Sequence, residues 1–427
     1  MEDQTRKVRI AISGGGLAGL TLLNGLLKYP HLSVEIFESA TNCSERGAAV
    51  SLGINAQNAL HELGPVLEEA VSLAGAIPYN SSRAMIGLRP NAGSIVIELK
   101  GDGSEKGVHR AALLSELLKP IPQIMTHTNK KLIRVQECND GVRLFFEDGT
   151  KEVFDGLIGA DGIHGYCREY ILGAEHAALK PHFAGFWDCR SLVPIQKAKE
   201  VLGEKYFNDG LQHAWVGHGS YLMHDVLDNG ETIQCVSSVE TDENWSLGEW
   251  KRDFDAEGLK EAFSKWTDSP ILEGMIEVFT GSNSDLRAYP QWEHSVHAPT
   301  YTKRWVCVIG DAAHAMTPWQ GSGAGVALED AMILDTHLQL IKDPHQIKSA
   351  FQAYDQVRRP RTQKPVDSSK TTGRIFCGRG PGVGLEPEEL RKSLCSRWDF
   401  IYALDMKQHK RDALDAFADL NTQSVVD

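Results

Sequence analysis

The sequence predicts an α/β fold in which two units interleave and helices follow, on three observations. A strand, a glycine turn and a helix succeed one another near residue 14; two later strands stop at Asp-Gly and Gly-Asp turns; and between those turns the pattern changes to short alternating strands. The chain has 427 residues, 42% of them apolar and 24% charged, the balance of a globular protein with a sizeable core. Its formal net charge is −13 with no basic run, which argues against nucleic acid as a partner. The eight cysteines are dispersed, with no Cys-x-x-Cys pair, so neither a metal site nor a disulfide framework is signalled and a reducing, cytoplasmic setting is expected. Val8 to Leu27 resembles a signal peptide only superficially, since Arg9, Asn24 and several glycines interrupt it. No apolar run reaches the roughly 18 residues of a membrane span, so no membrane partner is expected.

Taken in order, Lys7 to Ser13 reads as a buried strand, Gly14-Gly-Gly-Leu-Ala-Gly19 as a turn, and the apolar stretch to Leu27 as a helix. Gly14 suits the tight turn, Gly16 the approach of backbone to a pyrophosphate, and Gly19 the packing of helix on strand. A second strand, Ser33 to Glu38, ends in a carboxylate 24 positions after Gly14, near the spacing at which an acid binds an unphosphorylated ribose. FAD and NAD share this fingerprint, and a ligand-free turn is its alternative. A further strand, Phe154-Asp-Gly-Leu-Ile-Gly, ends at Asp161-Gly162 and leads into Ile163-His-Gly-Tyr-Cys-Arg168. Another, Arg304-Trp-Val-Cys-Val-Ile, ends at Gly310-Asp311, followed by His314, Pro318, Gly321-Ser-Gly-Ala-Gly325 and a helical stretch with Glu329 and Asp330.

These three motifs, in this order, resemble the class A FAD-dependent aromatic hydroxylases, the group of salicylate hydroxylase and para-hydroxybenzoate hydroxylase, and the resemblance spans nearly the whole chain. It implies a GxGxxG Rossmann-type FAD-binding domain interleaved with an antiparallel-sheet substrate domain. Carried over residue by residue, it implies FAD contacts from Gly14, Gly16, Gly19, Glu38, Asp161, Asp311, Pro318, Gly321, Gly323 and Ala324. Asp311 would accept hydrogen bonds from the ribityl hydroxyls, while the amides near Gly323 and Ala324 would face the charge that develops on a reduced flavin. His109-Arg110 looks like the family's His-Arg step, with Arg110 on the flavin. Arg46 to Asn55 resembles the stretch that lines the flavin ring, bringing in Arg46, Ala48 and Ala49, although Ala49 and Ile54 depart from the usual glycine and proline. His314 reads as either a structural or a catalytic histidine. Gly378 to Gly384 follows no strand and reads as a loop, so no second nucleotide site is indicated.

From about Lys180 to Pro290 short strands are expected near 183–192, 221–227 and 231–239, with a hairpin at Asp228-Asn-Gly230. Helices near 256–266 and 271–279 would cover the outer face. Arg190, in a segment that aligns with the family's Tyr-Arg-Gly-Leu-Val-Pro, is a candidate to hold a phenolate or carboxylate. Tyr221 and His224 are further catalytic candidates, and strand period allows only one of them to face the pocket; resemblance to fungal phenol hydroxylases that dearomatise polyketides, whose strands offer an arginine and a tyrosine to a phenolate, implies Tyr221. The expected division is 1–179 with 290–375 for FAD, 180–289 for substrate, and 376–427 as a helical end packed on the flavin unit.

The implied reaction is hydroxylation of a phenolic substrate with NAD(P)H as transient co-substrate and O2 as oxidant, through a flavin C4a-hydroperoxide. The substrate would be a salicylate-like acid or a polyketide-type phenol. The alternatives are an epoxidase, oxidase or oxidative cyclase on the same frame, or a non-catalytic flavin-binding redox sensor. A monomer or homodimer is expected.

Overall fold

The computed structural model describes residues 6–43, 49–78, 81–100, 105–281 and 286–424. A six-stranded sheet runs in the spatial order 302–303, 306–308, 156–159, 8–13, 32–37, 126–127, parallel except at the 302–303 edge. Its central strands are apolar almost throughout because both faces are covered: Ile10, Ala11, Ile12, Leu157, Ile158, Val306 and Cys307 are all fully buried. The helix Leu17–Leu26 follows the first strand and packs on the helix Gly323–Leu338, which in turn packs on Ile54–Leu63 and on the long helix Gln346–Phe376.

A buried ion cluster locks this helical layer. Arg358 donates to Asp330 Oδ1 at 2.8 Å, to Glu329 Oε2 at 2.7 Å and to the Val326 carbonyl at 2.9 Å. Arg361 adds a second fork onto Glu329, Asn55 donates to Glu329 Oε1, and His314 Nε2 lies 2.6 Å from Asp330 Oδ2. Two arginines thus neutralise two acids, and the remaining lone pairs meet neutral donors. That is the condition under which buried charge is tolerated. It also anchors a helix carrying Pro360 and Pro365, each of which removes a backbone hydrogen bond.

The second layer is an eight-stranded sheet in the order 252–254, 286–293, 182–194, 232–240, 220–227, 211–217, 81–86, 95–100. The expected hairpin is present: strands Ser220–Leu227 and Thr232–Glu240 join through Asp228–Gly230, where Asp228 and Gly230 both take positive φ. The sheet is antiparallel except where Leu211–Gly217 pairs in parallel with Ser81–Ile86. The strands Ser81–Ile86 and Ile95–Lys100 therefore join this sheet from early in the chain. Helices Ile195–Leu202, Ala256–Ala262 and Leu272–Thr280 lie by its outer face. The helix Met406–Ser424 packs on 323–338 and 346–376 as expected, whereas Pro387–Leu394 packs on the strand Ile95–Lys100. Among the described residues no helix is long and apolar enough to cross a membrane.

Candidate active site

A cavity of about 980 Å³ lies between the two sheets, and residues from both line it. At one end is the first glycine turn. Gly14 takes φ +111°, and a Cβ there would sit 2.1 Å from the Ala160 carbonyl oxygen, so only glycine lets the neighbouring strands 8–13 and 156–159 bring their turns together. Gly16 caps the helix Leu17–Leu26 without any side-chain hydrogen bond and with no acid in the first turn, leaving amides open toward the cavity. Gly19 does not line the cavity; a Cβ there would meet the Gly14 carbonyl at 2.1 Å, which is the packing role expected of it. Glu38 lines the cavity, its Oε2 accepting the Gly15 amide at 2.7 Å and its Oε1 the Ala40 amide at 2.7 Å.

Asp161 and Asp311 both reach the cavity. Asp161 accepts the Cys167 amide with one carboxylate oxygen and has no hydrogen bond on the other, and burial raises its carboxyl above the usual range. Asp311 opens the short helix Asp311–His314 after Gly310, whose positive φ and 2.9 Å amide bond to Asp330 fix the turn from beneath. Buried Arg168 ties the two turns together, donating to the carbonyls of Ala178, Ala312 and Ala313. His314 lies behind the wall, bonded to Asp330, which makes it structural.

Pro318, Gly321, Gly323 and Ala324 form one wall, and the helix starting at Gly323, like the one after Gly16, has no side-chain cap and no acid in its first turn. Arg110, at the start of the helix Arg110–Leu118, and Ala49 also line the cavity; Arg46 and Ala48 lie outside the described residues.

The floor is one face of the eight-stranded sheet, and register sets its rows. Asp188, Ser238 and Tyr221 are cross-strand neighbours; Arg190, Val236, Met223, Ala214 and Ala84 form the next row; Gln234, Asp225, Gln212 and Ser82 the third. Arg190 points its guanidinium at Asp188 Oδ2, 3.1 Å away, and Asp188 Oδ1 is also held by Ser238 Oγ and Gln291 Nε2, both at 2.6 Å. The Arg190 side chain keeps 39% of its surface open. Tyr221 packs edge-to-face on Trp319 and against Phe376; burial and the nearby Asp225 hold its hydroxyl neutral. Trp319 in turn fills the space left by Gly373 in the long helix, where a Cβ would meet its ring at 2.3 Å.

His224 needs correction. It is fully buried but does not line the cavity: its side chain stacks on Phe207 and beside His213 on the other face of the sheet, and burial pushes it down to about 3. Period-two alternation puts Tyr221, Met223 and Asp225 inside and His224 outside. The sequence reading missed Asp225, although an acid two and four positions from the inward Met223 and Tyr221 signals it. It also missed Gln212, Gln234, Trp319, Phe376, Trp398 and Tyr402, which line the same cavity.

A profile of the FAD binding domain family matches residues 147–369, more than half of the chain. A 6-methylsalicylate 1-monooxygenase of Aspergillus terreus is 35% identical over 97% of this chain and 94% of its own length. The chain belongs to the FAD-dependent monooxygenases. A salicylate hydroxylase of Pseudomonas putida is 30% identical to this monooxygenase over 95% of the chain and 94% of its own length. A solved salicylate hydroxylase in complex with substrate superposes with a TM-score of 0.83 at 26% identity, covering 95% and 98% of the two chains. The monooxygenase is thus an aromatic hydroxylase of this fold. Its residues fit FAD: two uncapped helix starts suit the pyrophosphate and the reduced ring's charge, Glu38 suits an adenosine ribose, and the second Asp161 oxygen has acceptor capacity unused by the protein.

Proposed function

We propose that the enzyme hydroxylates a small phenolic acid of the salicylate type, using NAD(P)H and O2. The observation that supports this reading best is the floor beyond the cofactor end. There, apolar Met223, Val236, Trp319 and Phe376 line the cavity together with Arg190. FAD held there would relay the electron pair of NAD(P)H to O2, one atom of which enters the substrate while the other leaves as water. The protein's own part is binding, orientation and dryness. The residues proposed to hold FAD are those lining the cofactor end, with Gly19 supporting the turn from behind; Arg46 and Ala48 remain proposed on resemblance.

Arg190 takes the substrate's anionic group by a charge-assisted bond, and Asp188, itself held by Ser238 and Gln291, fixes the direction in which the guanidinium points. Tyr221, kept neutral by burial, has a hydroxyl hydrogen to donate in a hydrogen bond to an oxygen of the substrate. The aromatic wall of Trp319 and Phe376 keeps water from the reacting carbon. The name of the Aspergillus relative supports a 2-hydroxybenzoate with a short alkyl group, oxidised at the carboxyl-bearing carbon with loss of carbon dioxide.

In division of labour, residues 1–179 and 290–375 hold the cofactor and 180–289 supply the floor, with 81–86 and 95–100 lent to it and 376–427 closing one side. Eight cysteines without a disulfide support a cytoplasmic setting; a monomer or homodimer is assigned, to be read by size-exclusion chromatography with light scattering. The decisive experiment is NAD(P)H consumption by FAD-loaded enzyme with salicylate and 6-methylsalicylate, products identified by mass. Stimulated oxidation with a catechol product supports the full reading. A dihydroxybenzoate keeps hydroxylation and removes decarboxylation; hydrogen peroxide alone removes the substrate class.

A further inference from the structure

Among the described residues, most buried acids face a cation. Asp155, Asp188, Glu293, Glu329, Asp330 and Asp335 each meet a lysine or arginine. Asp225 does not follow the pattern. It is 3% exposed, lies on the cavity face of the strand Ser220–Leu227, and meets two glutamine side chains instead. Gln212 Nε2 donates to its Oδ1, and Gln234 Nε2 lies 3.5 Å from its Oδ2.

The direction of these amides is fixed from behind. The Ala49 backbone amide, which can only donate, gives its hydrogen to Gln234 Oε1 at 2.9 Å, so the Gln234 amine must turn toward Asp225. On the other side Ser82 Oγ donates to Gln212 Oε1 at 2.9 Å while the Gln212 amine meets Asp225. The scaffold therefore presents a carboxylate ringed by neutral donors. A carboxylate accepts up to about four hydrogen bonds, so capacity remains toward the cavity. Burial without a cation is costly, and it lifts the Asp225 carboxyl to about 6. Such an arrangement is expected where a ligand supplies the missing donor.

We propose that Asp225 accepts the hydrogen bond of the aromatic substrate's ring hydroxyl and so selects phenols over phenol ethers. The proposal rests on the phenolic reading above and names the residue that enforces it. Arg190 and Asp225 stand two strands apart on the same face, on either side of Val236 and Gln234. A hydroxy acid laid between them would place its carboxylate toward the guanidinium and its hydroxyl toward the acid, because the reverse pose sets two carboxylates against each other.

The test uses the full-length, FAD-loaded enzyme without NAD(P)H, titrated with salicylate and with 2-methoxybenzoate, and reads binding from the absorbance of the bound flavin. The parent is expected to prefer salicylate, and Asp225→Asn to reduce that preference by about tenfold or more, as for loss of a hydrogen bond to a charged group. Affinity for the ether and FAD content should move less than twofold. A parent without preference, or a variant that keeps the parent's ratio, overturns the proposal. Loss of FAD with the ratio intact also overturns it and places Asp225 on the flavin. If Asp225→Asn does not fold, Asp225→Ser is read by the same ratio. Failure of the wider phenolic reading shows separately, as binding by the parent that gives no oxygenated product once NAD(P)H and O2 are supplied.

Discussion

Two groups of buried charge in this enzyme are built from the same residue types and behave oppositely. Around Arg358, two acids and two arginines pair with one another between the helices 323–338 and 346–376, and His314 Nε2 bonds to Asp330 from a third. On the sheet floor, Asp188 and Arg190 form a half-open pair, and Asp225 has amides in place of a cation. A saturated cluster fixes position and has nothing left to offer a ligand. An unsaturated one costs stability and keeps bonding capacity for whatever enters the cavity.

The largest effect that could break this contrast is Arg358→Met. It leaves Glu329 and Asp330 undercompensated and should cost about 3–5 kcal/mol, with FAD lost on gel filtration because the Gly310 turn is bonded to Asp330. An unchanged unfolding midpoint would mean that the cluster is not the lock described. Next, the folded state holds the Asp225 proton more tightly than the unfolded chain does, about 6 against 3.8. The parent should therefore lose stability as pH rises from about 4 to about 6, by about 2–3 kcal/mol in the limit. Asp225→Asn should lack that loss, so its midpoint relative to the parent should climb across this window and level off above it. A pH-independent difference contradicts the assignment.

Arg190→Ala removes a charge-assisted bond rather than a lock. Hydroxylation should fall about thirtyfold, or about 2 kcal/mol, while FAD content stays within a few per cent of the parent's by absorbance. Equal rates would sink the role given to Arg190. Smallest of all, His224→Phe keeps the stack on Phe207 and lies off the cavity, so turnover should stay within about twofold; a large fall would return His224 to the reaction.

The same contrast explains what the sequence could show. The cofactor end was legible because its chemistry is written in local spacing: a glycine at positive φ, an amide open at a helix start, an acid at the end of the next strand. The hairpin at Asp228–Gly230 was legible for the same reason. The floor is assembled across distance. Ser82 meets Gln212 through a parallel pairing 130 residues apart, and Trp319, Phe376 and Trp398 arrive from three further segments. No window of sequence contains such a neighbourhood. His224 illustrates the limit: its residue type suggested chemistry, whereas strand parity, set by the pocket side of Tyr221, decided its direction.

Trp398 and Tyr402 stand in the same cavity as Gly14. On a ribosome adding about 5–20 residues per second, the glycine turn leaves the peptidyl-transferase centre roughly 20–80 seconds before Trp398 and Tyr402. Until those two residues emerge, the cavity lacks that part of its lining. A cofactor caught during that interval would be held by the phosphate end alone, and the dry compartment is born only with the last helices.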